Sequence, residues 1–280
     1  MDPTDLLIKA TLLVIIFNSN HDKRLLTAVV ILCPLAFFAK ALHRSAPFWF
    51  LLTAIQAIAV YHRWFSVDNH KYLSVYWSFA VALALCTRKP DKALALNGRV
   101  LLGLVFAFAT MWKVMSPDYL NGSFFQYHLL LDFRFWPMAS WLGGLPQEVL
   151  VDNARLYGQM TMSSGVPFSV QLKSSLLISW IAQILTWWTV VLEAAISIVF
   201  LAPSRRVSTF TRNVLLWLFT LTTYVWVPII GFASSLLVMG LAQTELSRQR
   251  DRKVYLILLL ASPVYLLLWR KSLQYVFNVG

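Results

Sequence analysis

Residues 174–202 read SSLLISWIAQILTWWTVVLEAAISIVFLA, a run of 29 positions with one ionisable side chain, Glu193. About 20 consecutive apolar residues suffice to cross a bilayer as a helix. A charged group inside such a run costs several kcal/mol unless it is paired or faces a cavity. The stretch therefore predicts a membrane-spanning helix that carries one acidic group, which must be protonated or paired.

The rest of the chain reads the same way. Hydrophobic residues make up 59% of the sequence and charged residues 13%, whereas a soluble domain carries about a quarter charged residues. A soluble fold of this size lacks the interior to hide that much apolar surface. The apolar runs are continuous rather than alternating, which excludes a transmembrane barrel. The expected fold class is an all-α, polytopic transmembrane helical bundle forming a single domain over 1–280. About eight segments (seven to nine) are expected, near 5–18, 25–42, 47–65, 70–87, 98–115, 174–202, 212–226 and 229–243, and one near 254–269 makes nine. Pro228 and Gly231 interrupt 212–243, so that run is either one broken helix or two spans joined by a tight turn.

The net charge of +12 does not point to nucleic acid, because the basic residues sit in short clusters between apolar runs. Arg88, Lys89 and Lys92 form one cluster, Arg205, Arg206 and Arg212 a second, and Arg248, Arg250, Arg252 and Lys253 a third. Short Lys/Arg-rich loops stay cytoplasmic. All three lie inside if 212–243 crosses twice, which places 116–172 on the outer face and leaves Lys23, Arg24, Arg270 and Lys271 outside as exceptions. The outer segment carries Trp136, Trp141 and Gly143-Gly144-Leu145-Pro146. Such aromatic density suits the headgroup level. It is expected to be either an interfacial cap or a surface that holds a partner protein. Cys33 and Cys86 read as small buried hydrophobes, with neither disulfide nor metal spacing. No cleavable signal peptide stands out: the first run, Leu6 to Phe17, contains Lys9 and leads into Asn18-Ser19-Asn20.

Four ionisable residues are candidates for chemistry. Lys113 ends its run at the outer side, where it either snorkels to the interface or serves as a desolvated base. His70 opens another run at the same level, as a hydrogen-bonded interfacial residue or as a proton-sharing partner of Lys113. Glu193 belongs to a core polar network. Arg99 opens its helix near the inner face and reads as a cytoplasmic anchor. No phosphate-binding loop, dinucleotide fingerprint, metal spacing or nucleophile elbow is present.

Four fragments carry a resemblance: Asn69-His70-x-Tyr72-Leu73, then Lys113-x-x-Ser116-Pro117-Asp118-Tyr119-x-x-Gly122, then Val191-Leu192-Glu193-Ala194-Ala195, then Ile230-Gly231-Phe232-Ala233-Ser234. In this order the set resembles the vitamin K-dependent γ-glutamyl carboxylase family over about 60–245, and most closely its bacterial relatives with a horizontally transferred transmembrane (HTTM) domain. The resemblance implies a protein of the bacterial cytoplasmic membrane. Lys113 would be the base that deprotonates a reduced lipid quinone and His70 its partner, with Glu193, Asn69, Tyr72, Asp118 and Tyr119 as a supporting network. It offers a second model, maturation of a secreted peptide. This chain has Val114 beside Lys113 where the carboxylases have a second lysine, Tyr119 where they usually have Trp, and Thr222-Thr223-Tyr224 where they have a Phe-His pair. It is expected to lack the lumenal region that binds their propeptide substrate. Three functions follow as expectations: acid/base chemistry on a quinone or secreted peptide, a non-catalytic assembly or maturation subunit, and a small transporter.

Overall fold

The computed structural model describes residues 2–19, 23–162 and 171–277. Among them are fourteen α-helices and no strand. Nine longer helices build the bundle: α1 (Pro3–Asn18), α2 (Lys23–Phe38), α4 (Ala46–His62), α5 (Asn69–Leu85), α6 (Pro90–Val114), α11 (Leu176–Leu201), α12 (Thr209–Tyr224), α13 (Ile230–Gln243) and α14 (Gln249–Phe277). The one-turn helix α3 (Lys40–His43) links α2 to α4. The outer segment holds α7 (Pro117–Leu120), α8 (Ser123–Leu131), α9 (Trp136–Trp141) and α10 (Gln147–Met162). Its stretch 163–170 and the side chains of Lys23, Arg24 and Arg270 lie outside the described residues. Among the described residues, three helices are long and apolar enough to cross a membrane: Pro90–Val114, Leu176–Leu201 and Gln249–Trp269.

The ambiguous run 212–243 resolves into two helices. Pro228 cannot donate to a helical ladder, and the chain breaks between Tyr224 and Ile230. The second of the pair, α13, is the axis of the bundle. Every residue from Ala233 to Gln243 is buried, as expected of a helix that is apolar all round. It packs against α1, α5, α6, α12 and α14. Glycines permit the close approach. A Cβ at Gly98 would lie 2.8 Å from the Met239 carbonyl oxygen, and one at Gly240 would lie 2.5 Å from the Tyr255 ring and 2.7 Å from Leu216.

Polar side chains tie the helix ends together. Asn213 of α12 accepts from Gln243 Nε2 at 2.5 Å, Thr244 Oγ1 at 3.1 Å and the Tyr255 hydroxyl at 2.9 Å, and donates to Asp251 at 2.9 Å. A helix leaves its last carbonyls without partners, and arginines supply donors here. Arg212 donates to Val199 O and Ala202 O at 2.9 Å each, closing α11. The buried Arg252 reaches Leu241 O, Thr244 O and, on α1, Pro3 O at 3.2–3.4 Å. Two members of the basic clusters are therefore buried structural caps rather than surface charges. At the same end Asp5 accepts from Arg44 at 2.5 Å and lies 3.3 Å from His43, pinning α1 to the α3 turn. The cysteines differ from expectation. Cys33 is buried, but Cys86 is exposed, because it follows the last turn of α5 and points away from the packed core.

The outer segment folds as a cap with its own apolar cluster, in which Tyr119, Phe125, Leu129, Trp136, Met138 and Leu150 pack on Ile178 and Ala182 of α11. Asp132 is the polar centre of the cap. Its carboxylate meets His128 at 3.3 Å and accepts from Arg134 Nε at 2.9 Å. Burial alone would raise its pKa, but the hydrogen bonds from His128 and Arg134 outweigh that and hold the carboxyl below the usual range.

Gly240→Ala overpacks the α13–α14 contact and costs about 1–3 kcal/mol, read as a lower melting temperature of the purified protein. Gly158→Ala, where a Cβ meets nothing within 4 Å, melts no lower than wild type, since alanine favours the helix. The Asp132 contribution is complete above the ordinary carboxyl pKa of about 4 and is lost as pH falls through the lower folded value. Asp132→Asn therefore melts below wild type at pH 5–7, and the gap closes as pH drops below about 4. A gap that stays constant under acid would refute this.

Candidate functional site

The site forms where α6 ends. Ser116 precedes Pro117, and the pre-proline position disfavours helical backbone. Ser116 is extended, at φ −102° and ψ 108°. This stop leaves Lys113 in the last turn of α6, where the negative end of the helix dipole favours its ammonium. Beyond the break, α7 folds back and sets the Tyr119 ring 5.4 Å from the Lys113 Nζ, within cation–π range. Gly122 completes the turn at φ +84°, in the left-handed region, and a Cβ there would lie 2.8 Å from Gln183 Nε2. The Gln183 amide in turn donates to Asn121 O at 2.5 Å, fixing α7 to α11.

Glu193 reaches the same point from α11. Lys113 Nζ donates to both of its carboxylate oxygens. The glutamate side chain is 7% exposed and the lysine 20% exposed, so the pair is covered on the core side and open at the lysine. Thr189, one turn before Glu193, bonds the Tyr119 hydroxyl at 2.7 Å, and Thr186 donates to Tyr119 O at 3.4 Å. The buried Tyr224 ring, at the end of α12, also lies within electrostatic reach of Glu193. Toward the basic end of the bundle, α11 continues into the fully buried Ile196 and Phe200. Outward from Tyr119 runs a ladder of rings, with Phe124 at 5.0 Å and His128 a further 4.4 Å on.

Of the residues expected at the site, Lys113, Glu193 and Tyr119 come together. His70 belongs to a second group. It sits on the first turn of α5, buried, with its ring against Gly231 at the start of α13, so close that a Cβ on Gly231 would lie 2.5 Å from His70 Nε2 and 2.8 Å from Asn18 Oδ1. Asn18 Nδ2 donates to Ser235 Oγ at 3.2 Å. Beside this group, a cavity of about 20 Å³ is bordered by Asn18, Ser19, Gln56, Arg63, Lys71 and Ser74, room for about one water. Gln56 links Ser74 at 2.7 Å to Ser78 at 2.9 Å. The partner that the lysine meets is thus Glu193 rather than His70. Asn69 and Asp118 are exposed, and the Tyr72 hydroxyl donates to Trp64 O at 2.6 Å in the α4–α5 connection. None of the three bonds the ion pair.

Sequence reasoning missed Thr189 and Tyr224. Thr189 carries a usable signal, since it lies four residues before Glu193 on the same helix face. Among the described residues no cluster of His, Cys, Asp and Glu could hold a metal. Comparisons of the chain with family models, with curated proteins and with solved structures return no match.

Proposed function

We propose that this chain is an integral membrane protein of nine passes whose Lys113–Glu193 pair is an acid/base centre at the outer leaflet. The nine longer helices alternate in direction, and the Lys/Arg clusters at 88–92, 205–212 and 248–253 then fall at one end of the bundle. That matches the bias of cytoplasmic loops. The 16-residue helices reach about 24 Å, short of a hydrocarbon core of about 30 Å. Protein neighbours and local thinning meet that mismatch. The topology puts Lys113, Tyr119 and the outer cap on the extracytoplasmic side.

One observation carries the chemical reading: a buried carboxylate is paired with a lysine that is itself partly open, beneath an aromatic lid. In a low-dielectric site a proton passes between such partners at little cost in net charge, since both the ionic and the neutral pair sum to zero. The neutral amine is then a base for an acidic hydroxyl on a hydrophobic substrate arriving from the bilayer. A reduced lipid quinone, the substrate class implied by the carboxylase-like fragments, has this chemistry. Exposed Phe108, Trp112 and Trp188 flank the pair along α6 and α11 and present a surface that a ring-bearing lipid would wet. The apolar closure at Ile196 and Phe200 restricts access to the outer side, which favours interfacial chemistry over transport.

A second reading rests on the saturation of the pair. Lys113 engages both Glu193 oxygens, as a lock between α6 and α11 would, and the cap exposes Phe133, Trp141 and Leu142. This reading makes the protein an assembly or maturation subunit that holds a membrane or secreted partner protein by its cap.

Substitution separates the two. Lys113→Arg keeps the ion pair but cannot deprotonate. Removing one partner of a buried pair costs about 3–5 kcal/mol, so Glu193→Gln alone is expected to accumulate poorly. Each variant is followed for its level in the membrane and for rescue of a deletion strain. Acid/base chemistry predicts that Lys113→Arg accumulates as wild type and fails to rescue. Full rescue by Lys113→Arg would overturn it and leave the lock and the cap.

A further inference from the structure

Two guanidinium groups meet at the basic end of the bundle without an acid between them. Arg99 of α6 donates through Nη1 to the hydroxyl of Ser204, in the α11–α12 connection. Arg212 of α12 approaches the same oxygen through Nη1 at 3.5 Å and spends its Nε and Nη2 on the carbonyls of Val199 and Ala202. Among the described residues neither guanidinium forms an ion pair with a carboxylate. Glu245 is the acid whose charge reaches Arg212, but its carboxylate accepts the Thr209 hydroxyl at 2.7 Å. The Arg99 Nε is buried and has no hydrogen-bond partner. A neutral hydroxyl does not compensate two positive charges, and their repulsion is uncovered where Arg99 meets solvent.

We propose that Arg99, Arg212 and Ser204 form a binding site for a phosphate anion, completed by the exposed Arg205 and Arg206 on the same connection. A guanidinium fork matches two phosphate oxygens. The Arg99 Nε is the donor that an oxygen would take, and Ser204 would donate to another once Arg99 turns from its hydroxyl to the anion, while Arg212 keeps its carbonyls and adds its charge and Nη1. The carbonyls at the C-terminus of α11 would repel an anion, and Arg212 already covers them. Two sources supply this chemistry: the headgroup of an anionic phospholipid, which basic clusters at a cytoplasmic surface attract, or free phosphate.

The full-length protein, purified in detergent, is melted with added phosphatidylglycerol, with phosphatidylcholine, and with inorganic phosphate against chloride at equal ionic strength. The expected result is a rise of about 5 °C with phosphatidylglycerol, no rise with phosphatidylcholine, and loss of the rise in Arg99→Gln but not in Arg250→Gln. An equal, Arg99-dependent rise with inorganic phosphate assigns the site to the free anion; a rise confined to phosphatidylglycerol assigns it to the headgroup. Where Arg99→Gln fails to accumulate, the exposed double variant Arg205→Gln/Arg206→Gln replaces it and is expected to lose most of the rise. The proposal is overturned if no anion shifts wild type, or if the variants respond as wild type does.

Discussion

A polar side chain buried among apolar helices finds a hydrogen bond only inside the protein, and several in this bundle meet across helices. Glu193 meets Lys113. Gln56 is shared between Ser74 and Ser78. Asn213 gathers donors from Gln243, Thr244 and Tyr255. The first of these links joins positions 80 residues apart, whereas those of Gln56 and Asn213 join helices that follow closely in the chain. In a bundle whose outside is as apolar as its inside, packing and such bonds choose which helix lies against which.

The polar links separate by level. At one end, arginines close the carbonyl termini of α11 and α13, and Asp5 ties α1 to α3. These contacts are rich in positive charge. At the other end, two carboxylates are held by cations: Glu193 by Lys113, and Asp132 by His128 and Arg134. The aromatic ladder from Tyr119 through Phe124 to His128 runs between these two outer pairs. The outer cap is therefore mechanically continuous with the ion pair, through Tyr119, which contacts the lysine with its ring and Thr189 with its hydroxyl.

This continuity bears on both functional readings. A substrate drawn from the outer leaflet would meet a partly open lysine beside the Tyr119 ring. A partner protein seated on the cap would press on the same tyrosine. His70 stands apart, in the wedge where α5 meets α13, and the glycine at 231 is what lets its ring lie there.

The helical membrane character was legible in the sequence because hydrocarbon selects for apolar composition residue by residue, and a run such as 174–202 states it locally. The ends of α6 and α12 were legible too, since proline imposes its backbone limits on its immediate neighbours. Lys113 and Glu193 stood out singly for the same reason: a charge in an apolar run is anomalous wherever the run packs. Their pairing was not legible, and His70 was the sequence-based partner for Lys113, because the 80 residues between Lys113 and Glu193 carry no local signal of which helix faces α6. The burial of α13 on all sides, the capping roles of Arg212 and Arg252, and the meeting of Arg99 with Arg212 likewise depend on rotation and neighbour choice. Those are settled only when close contacts at Gly98, Gly231 and Gly240 let one arrangement of helices bring these side chains together.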